Sequence, residues 1–278
     1  MHSFFAFSSF TAHRNGDGAE NFMMEKLGFA DKTEAKALRQ EYFKRYHSTA
    51  KALTVAEQEG KLPPLPPGQE SKNPRFDPND LAEYWASNLR FELLGEPKTG
   101  LLEDLRACPL KLVAFSNGPR KYVKRVLETL GLWEIFGEDR LFAVDDVLPH
   151  CKPEKEAFQV VFDALGVRAE SCVMIEDSMK NIRRSKELGL KTVLVAGKER
   201  TQNRKSGALS TTNNNTNGSA NASSSSGADA SELTKTGDLP LEDDPAVDVC
   251  IGVVEDLRKT LPGLWKSTAT FNSTKLPN

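Results

Sequence analysis

Five short apolar runs, KLVAFSN, RLFAVDD, SCVMIED, KTVLVAG and VDVCIGVV, succeed one another from Leu101 onward, and amphipathic helical stretches separate most of them. Runs this short and this uniformly apolar read as strands buried on both faces, because a half-exposed strand would alternate polar and apolar residues. Strands joined through helices lie parallel. The helices between them carry their own boundaries. Pro119 opens one with Tyr122, Val126, Leu127 and Leu130 inward and Gly131 as its stop; Pro153 opens another with Phe158, Val161, Phe162 and Leu165 inward and Gly166 as its stop. The expected class is α/β, a doubly wound parallel sheet covered on both faces. Ligands of such sheets bind at the carboxyl ends of the strands.

The rest of the chain divides around that core. Residues 1–18 are an atypical N-terminus, aromatic and serine-rich, read as a truncated or alternative start. Residues 19–99 are helical: Phe22, Met23 and Leu27 share one face, Leu38, Tyr42, Phe43 and Tyr46 another, and Asp77 before Pro78 opens a helix with Leu81, Tyr84, Trp85 and Leu89. Between them KLPPLPPGQESKNP cannot be regular structure. The core takes 100–200. Residues 201–243 hold too little apolar surface to offset chain entropy and are expected to be a disordered Ser/Thr/Asn-rich insertion. The core ends over 244–266, and 267–278 are a tail.

Net charge is -2 over 278 residues, which excludes a general electrostatic attraction to nucleic acid or membrane. The N-terminus lacks the basic lead and long apolar region of a secretory signal, and no run is long enough to span a bilayer. The four cysteines are scattered and read as reduced thiols. The expectation is a soluble, cytoplasmic protein, with an organelle address at the N-terminus left open.

Each strand end places different chemistry on one edge. The first ends in Ser116 and Asn117, which read either as an N-cap or as a phosphate ligand acting with the free N–H groups of the next helix. Lys152 directly precedes a helix start, where a cation opposes the helix dipole unless an anion is near; it reads as a solvated lysine balanced by Glu154 or as a point charge for a phosphoryl group. Glu176 and Asp177 end a third run. Side by side, two carboxylates repel unless compensated; either Asp177 or Ser178 caps the next helix, or the pair forms an oxygen site for Mg2+. A hydroxyl, a lysine and an acid pair on strand tips are the groups that phosphoryl transfer requires.

FSN at 115–117, CKPEKEAF at 151–158 and IEDSMKNI at 175–182 resemble motifs two, three and four of the haloacid dehalogenase-like hydrolases, with the pyrimidine 5'-nucleotidase-like branch the most similar. The resemblance implies a Rossmann-like core with the helical zone as a small cap over the site. It implies that Ser116 and Asn117 bind the phosphoryl group, Lys152 stabilises it catalytically, Asp177 holds magnesium and Glu176 acts on the metal through water. The segment HSTAKALTV, from His47 to Val55, is expected to be a loop facing either the substrate or only its own fold.

The resemblance also implies a first strand ending in Asp-x-Asp, whose first carboxylate becomes the phosphorylated intermediate. No Asp-x-Asp occurs ahead of the helical zone, and SFFAFSSF ends in serines that cannot replace two carboxylates. The lost strand is central in the family's sheet. Two functions follow: a magnesium-dependent phosphomonoesterase of small phosphorylated metabolites, such as a pyrimidine nucleoside monophosphate, whose nucleophile is missing from this chain; or a catalytically inactive relative that binds phosphate ligands in a regulatory role.

Overall fold

The computed structural model describes residues 9–65, 73–197 and 242–266, so residues 3–8 of SFFAFSSF, part of the proline-rich loop, the tail and nearly all of the Ser/Asn-rich insertion lie outside the described residues. The chain packs as two compact units, the first comprising Met1–Val167 with Leu261–Asn278 and the second Arg168–Thr260.

In the first unit the helical zone contains α1 (Ala19–Leu27), α2 (Lys32–Tyr46), α3 (Thr49–Gln58) and α4 (Pro78–Asn88), and α5 (Thr99–Arg106) opens the core range. Asp31 caps α2 by accepting from the N–H groups of Thr33 and Glu34 at 2.8 and 2.9 Å, and Asp77 caps α4 ahead of Pro78 by accepting from Asn79. Their apolar faces meet around Phe22, Met23, Leu27, Phe76, Leu81 and Trp85. Truncating one of the large members, such as Phe22, would cost about 3–5 kcal/mol.

One segment of this zone departs from its local pattern, and one expectation is corrected. The glycine-rich NGDG segment is a π-helical turn, Arg14–Gly18, inside a helix running from residue 9 to Leu27. Tertiary contacts override the glycines: the Arg14 guanidinium lies over the rings of Trp85 and Tyr122 at 5.9 and 5.6 Å and donates to the Tyr122 hydroxyl at 2.9 Å, while Trp85 Nε1 donates to Gly18 O. Gly18 fits because a Cβ there would meet Leu89 at 2.4 Å. Ser9 and Phe10, the end of SFFAFSSF, are therefore helical, with Phe10 buried in the core. The stretch His47–Val55 is not a loop either: Ser48 caps α3, and residues from Thr49 are helical.

The same unit holds β1 (Ala114–Phe115), α6 (Arg120–Thr129), α7 (Trp133–Phe136), β2 (Leu141–Phe142), α8 (Val144–Val147) and α9 (Lys155–Leu165). β1 and β2 are parallel, with Ala114 opposite Leu141 and Phe115 opposite Phe142. The acids of RLFAVDD fall on α8, where Asp146 accepts from Ala143 N–H at 2.7 Å and caps it. Phe115 packs edge-on to the fully buried Phe158 of α9. Helix α9 starts at Lys155, after a turn over 152–154, so Pro153 precedes the helix instead of opening it.

The second unit is a three-stranded parallel sheet in the order β3 (Val173–Glu176), β4 (Lys191–Val195), β5 (Val249–Ile251), with α10 (Met179–Glu187) as the crossover from β3 to β4. Met179, Ile182 and Leu194 are fully buried between helix and sheet. Thr192, also fully buried, donates to Ala246 O at 2.5 Å, which satisfies its hydroxyl.

All five expected strands are present and every pairing is parallel, so the α/β class holds. Among the described residues the strands pair as a two-stranded sheet in the first unit and a three-stranded sheet in the second, and Ile175 of β3 is 37 % exposed. Among the described residues no further strand occurs that could carry the first motif.

Candidate functional site

Ser116 follows β1 directly. Its N–H donates to Phe142 O at 2.9 Å, which extends the ladder by one bond and fixes the tip. Its hydroxyl accepts from Gly118 N–H at 3.1 Å and keeps its own proton for donation. Gly118 must be glycine: a Cβ would stand 2.9 Å from the Tyr122 ring and 3.1 Å from Val123. The first N–H of α6, that of Arg120, is taken by the Asp145 carboxylate at 2.5 Å, so the entry of α6 is already partly satisfied from within the protein. Burial raises the Asp145 carboxyl above its ordinary value, against the pull of that bond.

Lys152 is 5 % exposed, and its ammonium donates to Phe115 O at 2.8 Å while lying 5.0 Å above the Phe115 ring. It is therefore buried at the strand tip and not a solvated surface lysine. Asn117 holds it there. The Asn117 amide accepts from Lys152 N–H at 2.9 Å and donates to Lys152 O at 2.8 Å, a two-bond clip between the strand tip and the lysine turn. Thus Ser116, Asn117 and Lys152 come together at the carboxyl end of β1. Asn117, read from sequence as a phosphate ligand, has its side chain engaged with the backbone of Lys152 and reaches His47 O at 3.5 Å.

Two further residues of the helical zone join this cluster. Ser48 donates to Asn117 O at 3.0 Å, and Lys51, 8 % exposed, pairs with Glu154. Glu154 also accepts at 3.1 Å from His150 Nδ1 and at 3.5 Å from the Cys151 thiol. Burial raises the Glu154 carboxyl, but the bonds from Lys51 and His150 outweigh it and hold the group below the usual carboxylate range. Burial pushes the Cys151 thiol up to about 12, which keeps it neutral and unsuited to nucleophilic attack. Sequence reasoning missed Lys51 and Glu154 as a pair, since 103 residues separate them. Their positions, Lys51 within the His47–Val55 segment and Glu154 two residues beyond Lys152, were the available signal.

In the second unit Glu176 and Asp177 end β3 with divided roles. The Glu176 carboxylate bends back over the start of α10, accepting from Asp177 N–H at 3.1 Å, Ser178 N–H at 3.3 Å and Asn181 Nδ2 at 3.1 Å. Glu176 therefore does the capping that the sequence assigned to Asp177 or Ser178; Ser178 makes no side-chain cap. Asp177 is exposed at the tip. Among the described residues no three His, Cys, Asp or Glu side chains converge as a metal cage. Magnesium does not need one: it takes one or two carboxylates and leaves the rest of its shell to water and substrate phosphate. An exposed carboxylate such as Asp177 is the kind of group that mode uses, and Glu176 sets the backbone that carries it.

Several known proteins are similar to parts of this chain. A stretch of the chain is 30 % identical over 129 residues to pyrophosphatase PpaX of Halalkalibacterium halodurans, covering 44 % of this chain and 59 % of that protein. Another is 31 % identical over 101 residues to a phosphoglycolate phosphatase of Colwellia psychrerythraea, covering 36 % and 43 %. The chain thus spans less than two thirds of these relatives. Among solved structures, the L-2-haloacid dehalogenase of Xanthobacter autotrophicus aligns over 91 % of this chain and 93 % of its own at 17 % identity, with a TM-score of 0.49. Among the described residues no helix is long and apolar enough to cross a membrane. The family profile described as haloacid dehalogenase-like hydrolase matches residues 17–189, from the π-turn through α10 and well over half of the chain, and the protein belongs to that family.

Proposed function

We propose that this chain carries the phosphoryl-binding machinery of a magnesium-dependent phosphomonoesterase acting on small phosphate esters. The observation that carries the reading is the convergence at the carboxyl end of β1, where the Asn117 clip holds the buried Lys152 ammonium at the same strand tip as the Ser116 hydroxyl. In this reading the Ser116 hydroxyl donates to a phosphoryl oxygen and Lys152 neutralises charge on the transferring group. In the second unit Asp177 would be the magnesium ligand, and magnesium when bound supplies the charge neutralisation that phosphoryl transfer uses. The helical zone acts as the cap that admits the ester and excludes water.

The relatives' names point to a substrate class: pyrophosphate and phosphoglycolate each carry a second anionic group close to the phosphoryl group. We extend that class to this chain, with the pyrimidine nucleoside monophosphate implied by the branch resemblance as the competing substrate. The competing reading is phosphate binding without turnover. Isothermal titration of the full chain with orthophosphate, with and without magnesium, tests the shared premise. Binding that needs magnesium and disappears in Lys152→Met is expected; no binding by the wild-type chain would refute it. Release of phosphate from phosphoglycolate, pyrophosphate or cytidine monophosphate above the Lys152→Met background would then decide between enzyme and binder.

A further inference from the structure

Among the described residues, the helical zone reaches the phosphate cluster at the start of α3. Ser48 donates to Asn117 O, and Asn117 Nδ2 faces His47 O, so the first turn of α3 lies along the strand tip. Lys51 stands in that turn. Its ammonium is buried 5.2 Å from the Tyr46 ring centre and pairs with Glu154, two residues beyond Lys152. The turn at 151–154 is therefore flanked by two buried cations, Lys51 from the helical zone and Lys152 of its own.

A buried lysine–glutamate pair is seldom placed for stability, since desolvation offsets the attraction and an apolar pair of similar size would hold the elements as well. Glu154 is, moreover, not dependent on Lys51 alone, because its second oxygen lies 3.1 Å from His150 Nδ1. With His150 retained, Glu154 can release Lys51 to another anion without being left bare.

We propose that Lys51 is a specificity-determining residue that receives a second anionic group of the bound phosphate ester, a carboxylate or a further phosphate, with Glu154 as its resting partner. This rests on the reading of Ser116 and Lys152 as the phosphoryl site. One-anion monoesters would bind through the phosphoryl group only, and two-anion esters through both lysines.

The test is a set of titrations on the full chain in magnesium, using methyl phosphate as the one-anion ligand and phosphoglycolate and pyrophosphate as the two-anion ligands. Lys51→Gln keeps a donor to Glu154 and Lys51→Arg keeps the charge. The wild-type protein should prefer the two-anion ligands. Lys51→Gln should weaken those by about ten- to a hundredfold while leaving methyl phosphate within about twofold, and Lys51→Arg should restore most of the preference. Because the readout is a ratio, a general loss of stability does not mimic it. No preference in the wild type, or equal weakening of both ligand kinds in Lys51→Gln, overturns the assignment and leaves the phosphoryl site standing. Failure of every ligand to bind the wild-type chain overturns the phosphoryl site and this assignment together.

Discussion

Asn117→Ala should unfold the first unit more easily, and the size of the effect can be worked from two hydrogen bonds. The Asn117 amide satisfies both backbone groups of Lys152, at 2.9 Å for the N–H and 2.8 Å for the carbonyl, in a residue only 5 % exposed. Each bond contributes about 1 kcal/mol net, and more when burial prevents water from replacing it, so the loss should be about 2–3 kcal/mol. Asn117→Asp is the sharper control. It preserves volume and the bond from Lys152 N–H, but sets a carboxylate oxygen against Lys152 O, so it should lose a similar amount at neutral pH. The assay is urea unfolding followed by tryptophan fluorescence. Trp85, Trp133 and Trp265 all belong to the first unit, so the signal reports that unit alone. A loss below about 0.5 kcal/mol for Asn117→Ala, the range of an ordinary surface substitution, would show that the clip does not hold the lysine turn.

Gly118→Ala should destabilise the same unit by about 1–3 kcal/mol, because its Cβ would meet Tyr122 at 2.9 Å and Val123 at 3.1 Å; a thermal midpoint equal to wild type would refute the tight packing. Glu176→Ala should cost about 0.5–2 kcal/mol in the second unit by uncapping α10, and more than Asp177→Ala, whereas Asp177→Ala should lose magnesium binding; hydrogen exchange of the α10 amides separates the two. Burial acts to raise the Asp248 carboxyl, but bonds from Lys186 and Thr192 outweigh it and hold the group below its ordinary value of 3.8. Its contribution to stability is thus full above about pH 4 and fades as the pH falls through the lower folded-state value. Asp248→Asn should therefore be less stable than wild type at pH 7, with the gap closing in acid; a gap that stays constant in circular dichroism melts would contradict this.

Much of the architecture was legible in the chain itself because it depends on local pattern. Apolar runs such as CVMI and TVLV become parallel strands, Asp31 and Asp77 cap helices, and the order FSN, CKPE, IED sets Ser116, Lys152 and Asp177 at strand ends or the turn beside them. Packing decided what local pattern could not. The NGDG segment became a π-turn because Arg14 found two aromatic rings, one on Trp85 and one on Tyr122, and a glycine's weak preference yields to such contacts. Packing also gave Glu176 the cap of α10 and gave Asn117 the clip to Lys152, contacts that local pattern does not reveal. Lys51 and Glu154 met across 103 residues of sequence. Residue type and spacing fix which groups arrive at the strand ends; how each carboxylate, amide and ammonium is used depends on distances of about 3 Å that tertiary packing sets.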